Sequence, residues 1–125
     1  MKKNLIAVLI VLTIVVGIAF AQNKACVTYK NGYGLSVFVA SKQDPNDTDS
    51  TIIDYINEIT VTSNGNKMRV ASVKIKQGNG KMKAIKNCPI LGKIIDPYGD
   101  IQFTYKTHGK ELKAEDVEIE AEGCN

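Results

Sequence analysis

The sequence predicts an all-β protein, an immunoglobulin-like antiparallel β-sandwich of about seven strands built after an N-terminal signal peptide. Two observations carry this. Short segments rich in β-branched and aromatic residues alternate with period two. Turn residues, chiefly Gly and Asn, separate them at intervals of about 8–12 residues.

The first element is the leader. Met1-Lys2-Lys3-Asn4 is a positive n-region, Leu5 to Phe20 is apolar apart from Thr13 and Gly17, and Ala19-Phe20-Ala21 is an A-x-A cleavage pattern. A retained anchor is the alternative, at the short edge of what crosses a ~30 Å hydrocarbon core. The small residues before Gln22 favour cleavage, giving a signal peptide over 1–21 and one domain over 22–125. Export to the periplasm or the exterior follows. Without Lys2 and Lys3 the 16 basic and 13 acidic side chains become 14 and 13, so net charge falls from +3 to +1. Such a balance gives no footprint for nucleic acid.

Tyr33 to Ala40 places Leu35, Val37 and Val39 on one face. Ile53, Tyr55, Ile59 and Val61 continue the alternation up to Asn64-Gly65, a two-residue hairpin signal. Lys67 to Gln77 and Lys81 to Lys86 read as strands around Gly78-Asn79-Gly80. Within the first of them the apolar face switches from Met68 and Val70 to Val73 and Ile75, which predicts a bulge near Ala71-Ser72. Ile101 to Tyr105 is a strand that turns at Thr107-His108-Gly109 into a last strand with Leu112, Val117, Ile119 and Ala121, expected as a closing hairpin. Helical alternatives exist at Ser50 to Ile59 and Leu112 to Glu122, but β-branched content in the first and alternation in the second favour strands.

Charge is segregated. Eight basic residues and no acid lie between Lys67 and Lys93, against six acids and two lysines between Lys110 and Glu122. Pairing of these segments across a sheet is the simpler expectation. The sharper one is a basic face for an anionic partner such as a surface polysaccharide.

Enzyme signatures such as HExxH and GxSxG do not occur, and the single His108 falls in an expected turn. The reading is therefore non-enzymatic, with no cofactor. The loop Asp44 to Ser50 offers oxygen ligands for calcium in Asp44, Asp47 and Asp49, though without the glycine and glutamate of an EF-hand. Asn46-Asp47-Thr48 is also a glycosylation sequon.

Three cysteines, Cys26, Cys88 and Cys124, stand in a disulfide-permissive setting, and spacing leaves all three pairings open. A bond from Cys124 to either of the others pins the terminus. A Cys26–Cys88 disulfide instead leaves Cys124 as an exposed thiol on a short tail, suited to a covalent carrier.

Asp54 to Gly65, Gly99 to Gly109, and Gly34 to Val39 followed by a polar loop and Tyr55-Ile56 resemble the strand-and-turn order of the Sox thiosulfate-oxidation carrier complex subunits. That resemblance implies a β-sandwich, a protein partner, and sulfur carriage on a C-terminal cysteine. Gly123-Cys124 matches the family's glycine-rich arm, while Glu122 and Asn125 replace its glycines. Three expectations follow: a binding or carrier domain with Cys124 as carrier thiol and Cys26–Cys88 as disulfide; alternatively a structural, adhesive or filament-forming subunit; and, in either case, a protein partner or self-association, with membrane contact only through the uncleaved signal segment.

Overall fold

The computed structural model describes residues 25–46 and 51–124. The expected signal peptide over 1–21 and the start of the domain at Gln22 lie outside the described residues. The chain forms β1 (Cys26–Asn31), β2 (Gly34–Gln43), β3 (Asp54–Ser63), β4 (Met68–Lys76), β5 (Met82–Ala84), β6 (Ile94–Ile95), β7 (Asp100–His108) and β8 (Val117–Cys124), with one 3-10 turn, Ala114–Asp116, leading into β8. The expected all-β class holds.

The strands form one hydrogen-bonded path, β5-β4-β8-β1-β2-β3-β7, with β6 beside β4. Its one parallel step, Lys30↔Gly34 and Asn31↔Leu35, makes the sheet mixed, where a purely antiparallel one was expected. The cause is local. Between β1 and β2 the chain makes a tight loop through Gly32 and Gly34, at φ +76° and +93°, which L side chains rarely adopt, and continues in the same direction. A Cβ on Gly34 would also sit 2.3 Å from the Tyr29 ring.

The sheet curls so that β2-β3-β7 and β4-β8 bury their inner faces in one core. Leu35, Ile59, Val61 and Phe103 come from the first group, and Met68, Val70, Val73, Ile75, Val117, Ile119 and Ala121 from the second. Each fully buried side chain of this kind contributes about 1.5–3 kcal/mol. On β2, the expected face of Leu35, Val37 and Val39 turns inward, with Leu35 fully buried. The expected bulge is also present: the β4–β8 register shifts between Val70 and Ser72, which keeps both Val70 and Val73 inside.

Gly78-Asn79-Gly80 joins β4 to β5 as a hairpin, as expected. Asn64-Gly65 does not close one. β3 lies between β2 and β7, whereas β4 lies against β8, β5 and β6, so this turn carries the chain from one half of the sheet to the other. The buried Ser63 hydroxyl directs it, donating to Asn66 O at 2.5 Å and accepting from the N–H groups of Gly65 (3.2 Å) and Asn66 (3.1 Å).

The expected closing hairpin after His108 is replaced by a second crossover, since β7 pairs with β3 and β8 pairs with β1 and β4. Asn57, fully buried, holds it in place. Its Nδ2 donates to Tyr105 O (2.8 Å) and Thr107 Oγ1 (2.9 Å), and its Oδ1 accepts from Leu112 N (3.0 Å) and Ser41 Oγ (2.5 Å). The loop after β7 is thereby drawn over the end of β2 and β3 instead of folding back on β7.

Candidate functional site: the cysteine seam and the outer face of β2, β3 and β7

The antiparallel β1–β8 register sets Cys26 directly opposite Cys124. They form a disulfide with Cα atoms 4.1 Å apart across a sequence separation of 98 residues. The expected Cys26–Cys88 bond is therefore corrected. Cys88 is a free, buried thiol at the edge of the core, and burial pushes its pKa up. Cys124, expected on a mobile tail, is the last residue of β8, and its sulfur is bonded. The missing signal was register. Val27↔Gly123, Thr28↔Glu122 and Lys30↔Glu120 run from the same ladder, and no spacing rule reveals it. Gly123 belongs to this seam for a steric reason: a Cβ there would stand 2.9 Å from the Tyr29 ring and 3.0 Å from Lys67 O.

At the proposed cation loop, Asp44 closes β2. Its carboxylate accepts from Asn46 N at 2.9 Å and pairs with Lys106 Nζ at 2.9 Å. The Asn46 amide first, and Lys106 second, hold its pKa below the usual carboxylate value. Its oxygens thus bind β7 to the end of β2. Asp47 and Asp49 lie outside the described residues. Among the described residues no group of three ligating side chains is gathered.

His108 stands opposite Asp54 at the end of the β3–β7 ladder, in contact with its carboxylate. It borders a shallow cavity of about 270 Å³ lined in part by Lys76, Tyr105, Lys110 and Glu111. Elsewhere the segregated charges meet across strands. In the β4–β8 register Arg69 stands opposite Glu122 and Lys74 opposite Glu118, and, from outside the basic segment, Lys30 lies 3.8 Å from Glu120. For Arg69 and Lys74 the register gives the cross-strand opposition that the simpler expectation has.

The outer face of β2, β3 and β7 is the feature that sequence reading passed over. Registers align Ser36, Thr62 and Asp100 in one row, Phe38, Thr60 and Gln102 in the next, and Ala40, Glu58 and Thr104 in a third. Phe38, 70% exposed, stands in the middle of this polar surface. Gln102 Nε2 donates to Thr60 Oγ1 at 3.0 Å, fixing the amide beside it. The signal was present in the β2 alternation, where Phe38 occupies the parity opposite to Leu35, Val37 and Val39.

Beyond the Ser36 row, the Ser36 hydroxyl donates to Asn64 Oδ1 at 3.3 Å. Next to that turn Tyr98 is 79% exposed at φ +61°, a conformation costing a bulky L residue about 1–2 kcal/mol. Its hydroxyl would lie 3.1 Å from a Cβ on Gly65, so glycine makes room for the ring.

No family model, curated protein or solved structure matches this chain.

Proposed function

We propose that this protein is an exported, non-enzymatic binding domain that holds a protein partner against the outer face of β2, β3 and β7. The exposure of Phe38 in the middle of that face carries the reading. A large aromatic side chain left in water on a sheet whose other face is a packed core gains free energy only when something covers it. The surrounding Ser36, Thr60, Thr62, Gln102 and Thr104 supply hydrogen-bonding groups that keep such a surface soluble when uncovered. In this reading the two halves of the curled sheet are the layers of an immunoglobulin-like sandwich. The leader over 1–21 delivers the domain to an oxidising compartment, consistent with the Cys26–Cys124 bond.

Among the described residues, the chemistry-bearing side chains singled out in the sequence support a role without catalysis. The Asp44 carboxylate is engaged by Asn46 and Lys106, His108 by Asp54, and the thiols are bonded or buried. Sulfur carriage on Cys124, the role implied by the Sox resemblance, requires the Cys26–Cys124 bond to be opened first.

Two measurements test the reading. N-terminal sequencing of the exported protein should begin at Gln22, and a product retaining Met1 argues against export by cleavage. Phe38→Ser should leave thermal stability within about 0.5 kcal/mol, since the side chain is exposed. The same change should lower retention of the purified protein on the envelope of producing cells about tenfold; unchanged retention refutes the role given to this face.

A further inference from the structure

β7 ends the sheet path, and among the described residues no strand pairs its far side. The direction of its backbone groups follows from its neighbours. Ser63 N donates to Gly99 O, and Gly109 N donates to Ile53 O, so the odd-numbered residues of β3 turn their backbone groups toward β7. Their register partners, among them Phe103 opposite Ile59 and Tyr105 opposite Asn57, form the bonded side of β7. Successive residues of a strand alternate in this direction, so Gln102 and Thr104 point their N–H and C=O groups to the open side.

We propose that this edge receives the β7 of a second copy of the same chain, antiparallel and centred on Thr104. Three properties of the strand fit that partner. First, β7 carries Asp100 at its beginning and, at its end, Lys106, paired with Asp44 of its own chain, and His108, held against Asp54, so antiparallel pairing sets Asp100 of each copy beside the Lys106 end of the other and away from its Asp100. Parallel pairing would bring like charges together. Second, with Thr104 opposite Thr104, all nine residues of each strand overlap and Gln102 faces Lys106. Even-numbered residues meet even-numbered ones, so exposed side chains stay on one face, while Phe103 stands beside Tyr105 on the core side. Third, the residues are strand formers, and β7 has none of the proline or bulge devices that blunt an edge.

The product is a closed two-fold dimer with a continuous six-stranded layer, β2-β3-β7-β7-β3-β2, carrying both Phe38 side chains on one face. The proposal is separate from the reading of Phe38, which lies on the face of this layer and away from the edge.

Sedimentation of the disulfide-bonded protein from about 1 μM to 1 mM should show the mass doubling reversibly. Symmetry places each substitution opposite Lys106 twice, so Gln102→Lys should weaken the dimer about tenfold and Gln102→Glu strengthen it severalfold. Thr104→Pro, which removes only an outward N–H, should leave a folded monomer. Thr104→Cys should join the two copies through a disulfide at that position on mild oxidation, whereas Ala40→Cys on the exposed side of β2 should not. Phe38→Ser should leave the dimer intact. A monomer at every concentration overturns the proposal. So does a dimer indifferent to both Gln102 changes that forms no link through position 104.

Discussion

The two ends of the sheet are built in opposite ways. At one end β5 has three residues, flanked by Lys81 and Lys86 and carrying Lys83, and it covers only part of β4. At the other, β7 runs for nine residues along the whole of β3 and presents Gln102 and Thr104 outward. A short cationic edge discourages further strands, and a long regular one invites them. The two halves are also held differently. The β4-β8-β1 half depends on the covalent seam at Cys26–Cys124, while the β2-β3-β7 half depends on long ladders and a buried polar network around Asn57. Side-chain chemistry thus closes one half covalently and leaves the other with a long, regular edge.

The largest expected effect tests the covalent half. The disulfide encloses nearly the whole domain, and a closed loop of that length stabilises by about 4–5 kcal/mol in the chain-entropy account. Cys26→Ser with Cys124→Ser should therefore lower denaturant stability by several kcal/mol, and hydrogen exchange should rise first in β1 and β8. A loss below about 1 kcal/mol would show that the ladder alone closes the seam.

Asn57→Ala should come next, at about 4 kcal/mol. It strips partners from Leu112 N, Tyr105 O and the Thr107 and Ser41 hydroxyls within a buried site, each lost bond costing about 1 kcal/mol. Because this network directs the crossover after β7, the variant should loosen residues 109–112 as well as β3. Uniform destabilisation with no local change in exchange would argue that Asn57 contributes only through packing.

A smaller change of opposite sign is expected at Tyr98. Relieving its left-handed conformation with Tyr98→Gly should raise stability by up to about 1 kcal/mol. An unfolding midpoint that falls instead would mean that packing of the ring over Gly65 outweighs the strain.

These differences between halves were unequally legible in the sequence. Faces were readable because period two is local: Leu35, Val37 and Val39, and the switch from Val70 to Val73, announce their orientation without knowledge of any partner. Pairing was not. Asn64-Gly65 has the composition of a hairpin turn, but Ser63 captures its amides and redirects the chain, and a serine at the end of a strand carries no such label. The same holds for Asn57, whose burial becomes visible only once β7 and the 109–112 loop surround it. The cysteine pairing failed for a related reason. Cys26 and Cys124 lie at opposite ends of the domain, and only the β1–β8 register brings them together.

Acid should separate the halves by a titration instead of a substitution. Asp44 ties the end of β2 to Lys106 of β7, and its pKa is held below the ordinary 3.8, first by the Asn46 amide and then by the lysine. A carboxyl whose folded pKa is depressed contributes stability above its unfolded pKa. That contribution fades as pH falls below 3.8 and through the lower folded value, where the folded protein must also take up the proton. What disappears is the attraction of the carboxylate to Lys106 and its acceptance of the Asn46 amide. Hydrogen exchange at β7 and at the end of β2 should therefore rise below about pH 4 before that of β1 and β8, which are joined by a disulfide that does not titrate. Asp44→Asn should abolish this early acid step while leaving the neutral-pH fold intact. If β1 and β8 loosen first, or if the step persists in the variant, the carboxylate is not what fastens the open edge to the rest of the sheet.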